Sequence, residues 1–128
     1  MMTNHDIVHI LQLSYFKQKR VKLMKVILVC AGGISSAIAA RSLQEAALAE
    51  GIDMEVREAS TQQFEDMVEK DYQLALVAPQ IRHRYDALKS RAEKAGIPII
   101  VITPRGYSAI GGKILMKQIK EEVPEVLQ

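Results

Sequence analysis

The chain has 128 residues, a formal net charge of +2, 48% hydrophobic and 25% charged residues, a balance that excludes a disordered polymer and suffices for one domain with its own core. A single cysteine leaves no internal disulfide and fits a reducing compartment, and no apolar run approaches the roughly 20 residues that cross a bilayer. With no secretory leader pattern and too little charge to imply a nucleic-acid partner, the expectation is a cytoplasmic protein without direct membrane insertion.

The first 23 residues read as an extension. Ile7, Ile10, Leu11 and Ser14 share one helical face, Val8, Leu11 and Tyr15 an adjoining one, and Lys17, Lys19, Arg20 and Lys22 follow, which predicts a helix of open role preceding a domain over 24–128, with a docking helix, a membrane-surface amphipath and a poorly ordered leader as the alternatives. His5 and His9 stand at helical spacing, but Asp6 falls on another side of such a helix and no thiol is near, so no metal site is expected. Residues 25–30 predict a buried strand. Residues 35–50 predict a helix with Ile38, Leu43, Ala46 and Ala47 inward, stopping at Gly51. Residues 54–59 predict an edge-like strand in which Met54 and Val56 alternate with charges. Ser60 or Thr61 then caps a short helix to about Lys70 that buries Phe64, Met67 and Val68. Residues 74–78 form a fully apolar strand stopped by Pro79, and 84–95 a helix with Leu88 and Ala92 inward and Gly96 at its end. Residues 97–102 make a third apolar strand, and 111–122 a last helix before Pro124.

This alternation predicts an α/β fold: a four-stranded parallel sheet, order 2-1-3-4, doubly wound with helices on both faces. Ligands of such sheets bind beyond the carboxyl ends of the strands, where the winding direction reverses. Here that switch point lies between the first and third strands. Cys30 ends the first, and Pro79-Gln80-Ile81-Arg82 leaves the third.

Cys30 closes the run Val26-Ile27-Leu28-Val29 and opens Ala31-Gly32-Gly33-Ile34-Ser35-Ser36-Ala37. A strand, a thiol, a glycine-bearing loop and a helix start lay out an anion cradle. Backbone N–H groups and the helix dipole would favour a thiolate and hold a phosphate beside it. A small buried residue at a strand end is the plainer account of the same cysteine. Gly106-Tyr107-Ser108-Ala109-Ile110-Gly111-Gly112-Lys113 does not make a nucleotide P-loop: Tyr107 stands where its first glycine belongs and Ile114 where a hydroxyl would meet Mg²⁺. This loop should border the crevice, with Gly111 and Gly112 permitting close backbone approach. Arg82-His83-Arg84 is expected beside the thiol loop, either as a solvated helix start or as a patch facing an anion or partner.

Residues 24–123 resemble the IIB component of the bacterial phosphoenolpyruvate-dependent sugar phosphotransferase system, of the lactose/cellobiose/chitobiose class. The family's Cys-x-x-Gly-x-Ser-Thr/Ser is met by Cys30, Gly33, Ser35 and Ser36, and its Gly-Pro-Gln-Ile by Ala78-Pro79-Gln80-Ile81. Its Val-Ile strand, tyrosine loop and glycine are met by Val101-Ile102, Tyr107 and Gly112. The glycine before Pro79 is replaced by Ala78, Gly111 stands where some relatives carry an acidic residue, and Arg82 and Arg84 replace neutral residues.

The resemblance implies a phosphoryl carrier without cofactor or metal. Cys30 would accept phosphate from a phosphohistidine on a IIA partner and pass it to a sugar held by a membrane IIC partner. Ala31 to Ala37 would hold the phosphate oxygens, with Gln80, Arg82 and Tyr107 at the border. Low-molecular-weight tyrosine phosphatases and thiol-dependent arsenate reductases share the fold and a similar loop. The phosphatases require an arginine six positions beyond the cysteine, where this chain has Ser36, and no second cysteine is present to resolve an arsenate-reductase intermediate. A regulatory phosphate-sensing module is a further alternative.

Overall fold

The structure, a computed structural model, describes residues 23–32 and 34–128. The expected N-terminal helix and the His5–His9 pair lie outside the described residues. Strand β1 (Leu23–Val29) is followed by α1 (Ile34–Ala49), β2 (Asp53–Ala59), α2 (Thr61–Met67) and β3 (Leu74–Val77). A 3-10 turn over Pro79–Arg84 leads into α3 (Tyr85–Ala95), then β4 (Ile99–Val101), a short turn at Pro104–Gly106 and α4 (Gly112–Glu122). All neighbouring strands pair in parallel, in the order β2-β1-β3-β4.

Side-chain alternation divides the core into two layers. Val26 and Leu28 of β1, Leu74 and Leu76 of β3 face α1 and α4, meeting Leu43, Ala47, Leu115, Met116 and Ile119. Ile27, Val29, Ala75 and Val77 face α2 and α3, meeting Phe64, Val68, Leu88 and Ala92. β1 and β3 are buried on both faces because they are apolar at every position from Val26 to Val29 and from Leu74 to Val77. β2 takes an edge because its charges cannot be buried twice. It pairs residue for residue with β1, Leu28 opposite Glu58 and Val29 opposite Ala59.

Two inward assignments differ from the helical reading. Ile38 is 43% exposed; it shares a flank with Arg41 and Glu45, whose solvent-facing ion pair marks that side as outward. Met67 is only partly buried, because α2 stops there instead of continuing to Lys70. The start of α2 follows expectation: the Ser60 hydroxyl accepts from the Gln63 N–H while the Gln63 side chain accepts from the Ser60 N–H.

Candidate functional site

Cys30 sits at the carboxyl end of a central strand, where β1 gives way to α1. Its N–H donates to the Ala59 carbonyl at 2.9 Å, extending the β1–β2 ladder by one residue. Its thiol also reaches that carbonyl, at 3.8 Å. The side chain is 4% exposed and packs in the layer containing Ala59, Phe64, Ala78 and Ile81. Next to it the loop opens to solvent, with Ala31, Gly32, Ser35 and Ala37 exposed. Gly32 has φ +101°, a conformation that disfavours any side chain, and it lets the chain turn from strand to helix immediately after the thiol. Gly33 lies outside the described residues. The first N–H groups of α1 have no intrahelical acceptor and stand at the positive end of its dipole.

Three other segments converge on this loop. Ser36 is fully buried, and its hydroxyl donates to the Glu58 carboxylate on β2. Tyr107, from the loop after β4, packs against both core layers. Its phenol lies beside the hydroxyls of Ser35 and Ser36. Burial raises the Tyr107 pKa above its usual 10.0, and the charges of Cys30 and Glu58 push in the same direction against the two serine hydrogen bonds. The phenol therefore keeps its proton throughout the neutral range.

Tyr107 is held there by a buried polar side chain that periodicity alone does not reveal. Gln118 of α4 donates to the Val101 carbonyl at 2.7 Å and accepts from the Thr103 N–H at 3.2 Å, fixing the exit of β4. Thr103 then caps the turn at Pro104–Gly106 through its hydroxyl.

The remaining border residues are placed less closely. The Ala78 N–H bonds the Val29 carbonyl at 2.9 Å, so the turn bearing Gln80 starts beside Cys30, but the side chains of Gln80 and Arg82 are exposed. Among the described residues neither is joined to the loop by a hydrogen bond or ion pair. The expectation that Arg84 lies beside the thiol loop is corrected. It lines a groove between α2 and α3 with Thr61, Phe64, Leu88 and Arg91, because the Pro79–Arg84 turn carries the chain away from the sheet edge after burying Ile81. Gly111 and Gly112 do permit close approach, but to protein backbone: a Cβ on Gly112 would lie 2.1 Å from the Ser42 carbonyl oxygen of α1.

Glu58 was not among the residues expected at the site. The signal was present in β2, where Met54, Val56 and Glu58 fall on one face by strand alternation and Glu58 ends that row at the same edge as Cys30.

Residues 25–121 match the family described as "PTS system, Lactose/Cellobiose specific IIB subunit". This chain belongs to that family. It is 30% identical over 95 residues to the galactose-specific EIIB component of Lactococcus lactis subsp. cremoris, covering 70% of this chain and 88% of that protein. It is 31% identical over 94 residues to the lactose-specific EIICB component of Lacticaseibacillus casei. That match covers 73% of this chain but only 16% of the longer relative. The lactose-specific IIB domain of Streptococcus pneumoniae superposes with a TM-score of 0.64 at 26% identity, covering 76% of this chain and 97% of that domain. The protein is thus a IIB component of the lactose/cellobiose class, with the sheet order and helical layers expected of it. No helix among the described residues is long and apolar enough to cross a membrane.

Proposed function

We propose that this IIB protein is a phosphoryl carrier acting in the cytoplasm. Cys30 accepts a phosphoryl group from a phosphohistidine on a IIA protein and donates it to a sugar held by a membrane IIC protein, coupled to uptake. In the first step the sulfur attacks phosphorus as a thiolate. The S–P bond forms as the N–P bond breaks, and the bonding pair returns to the imidazole, which takes up a proton. In the second step a sugar hydroxyl oxygen attacks phosphorus, the sulfur leaves with the S–P pair, and the hydroxyl proton passes to solvent.

The observation that carries this reading is the convergence of Cys30, the start of α1, Ser35, Ser36 and Tyr107 at one end of the sheet. Phosphoryl transfer needs positioning and charge stabilisation more than covalent assistance. The amides of residues 31–37 and the hydroxyls of Ser35, Ser36 and Tyr107 are the donors suited to that task. Once ionised, the sulfur no longer donates to the Ala59 carbonyl, and repulsion from that oxygen favours turning toward the loop. The position of a phosphatase arginine is taken here by Ser36, buried and tied to a carboxylate, so the cationic clamp that a hydrolase uses on its transition state is replaced by a neutral side chain. The name of one relative supports the membrane IIC partner: in Lacticaseibacillus casei the matching segment is part of an EIICB component.

Incubation with a radiolabelled phosphohistidine IIA protein is expected to transfer label to this chain; no transfer from the IIA protein of a lactose- or cellobiose-class system would refute the reading. Tyr107→Phe retains the ring that packs on both layers and removes only the hydroxyl. The labelled fraction at equilibrium should then fall roughly tenfold, as expected for one lost hydrogen bond to a charged group. An unchanged fraction would remove Tyr107 from the site.

A further inference from the structure

Glu58 presents a carboxylate to a site that must take up a phosphate dianion. It sits at the end of β2, directly opposite Leu28 of β1, on the face covered by α1. Its carboxylate accepts the hydrogen bond of the buried Ser36 hydroxyl. Tyr107 lies beside Ser36, so the carboxylate stands next to two of the hydroxyls available to the phosphoryl group. Glu58 is itself exposed at the edge of the sheet. Among the described residues it has no ion-pair partner: Arg57, its neighbour, pairs with Glu55 on the opposite face of the strand.

We propose that Glu58 is a positioning residue that competes with the phosphoryl group for the Ser36 hydroxyl and, by its charge, opposes retention of phosphate at Cys30. The inference rests on the phosphoryl-carrier reading and adds a regulatory element to it. In the unphosphorylated protein Glu58 keeps the Ser36 hydroxyl aligned. When the phosphoryl group arrives, Ser36 must divide its proton between two anions, and the phosphorylated form is raised in free energy. A carrier built this way holds its group weakly enough to pass it on.

The test uses inorganic phosphate as the probe and the rate at which iodoacetamide alkylates Cys30 as the readout. Phosphate should protect wild-type Cys30, and the half-protecting concentration should fall roughly five- to tenfold in Glu58→Gln, as expected from removing one like charge near a partly exposed site. Glutamine still accepts from Ser36, so the change isolates charge from geometry. Glu58→Asp, which restores the charge, should return protection toward wild type. A purely structural role predicts no gain of affinity in Glu58→Gln, so unchanged or weaker protection there, with wild type protected, overturns the Glu58 assignment alone. Failure of phosphate to protect wild-type Cys30 overturns the carrier reading and this inference with it.

Discussion

Cys30→Ser is expected to abolish phosphoryl acceptance from a phosphohistidine donor while leaving the fold intact. Cys30 is the only cysteine in the chain, so no second thiol can substitute. A serine hydroxyl fits the space, and the backbone N–H at position 30 that extends the ladder is unaffected. What is lost is the thiolate: an alcohol with no adjacent general base is a poor nucleophile at neutral pH, and none of the described groups around the sulfur is a base aimed at it. The rate of labelling should fall by at least about a thousandfold, on the scale of losing a nucleophile outright. Circular dichroism and thermal unfolding should match wild type. Labelling at the wild-type rate would place the acceptor elsewhere and end the phosphocysteine account.

Gly112→Ala should be the most destabilising single-methyl addition among the described glycines. A Cβ there would lie 2.1 Å from the Ser42 carbonyl oxygen and 2.6 Å from its carbon. The obstacle is backbone in the middle of α1, not a movable side chain. The Gly112 N–H also donates to the Ser42 hydroxyl at 2.9 Å, so forcing the helices apart breaks that bond as well. Overpacking of this kind costs about 3 kcal/mol, equivalent to a fall of roughly 10 °C in melting temperature for a domain of this size. Because α1 begins just after the Cys30 loop proposed to hold phosphate, its displacement should weaken phosphate binding too. The neighbouring exposed Lys113→Ala is the control and should be nearly neutral. A melting temperature for Gly112→Ala within a degree or two of wild type would contradict the packing described for α1 and α4.

Much of this architecture is legible in the chain because its strands differ in kind. Val26–Val29 and Leu74–Val77 are apolar at successive positions and therefore central, while charges in Asp53–Ala59 force an edge; the order of the sheet follows. The thiol at the end of a central strand is legible for the same reason. Glu58 escaped because the alternation of Met54 and Val56 was not carried on to Glu58, whose charge beside Arg57 reads as part of a solvated edge. Ile38 misled because its apolarity outweighed its position, one flank away from the buried row Ala39, Leu43 and Ala46–Ala47. Arg84 was misplaced because the six-residue turn Pro79–Arg84, kinked at the buried Ile81, separates it from the end of β3 and leaves it against α2. Gln118 gave no warning either: a glutamine in an amphipathic helix reads as a surface residue, and only the loop it captures accounts for its burial.

The central claim is that one sulfur carries the phosphoryl group. It is tested most directly by reacting the protein with a phosphorylated IIA donor, digesting it under conditions that preserve S–P bonds, and locating the adduct by mass spectrometry. The account predicts a single phosphoryl adduct on the peptide containing Cys30, lost when an acceptor sugar and the membrane IIC protein are added. An adduct on a histidine peptide, His83 for example, with Cys30 unmodified, would contradict it.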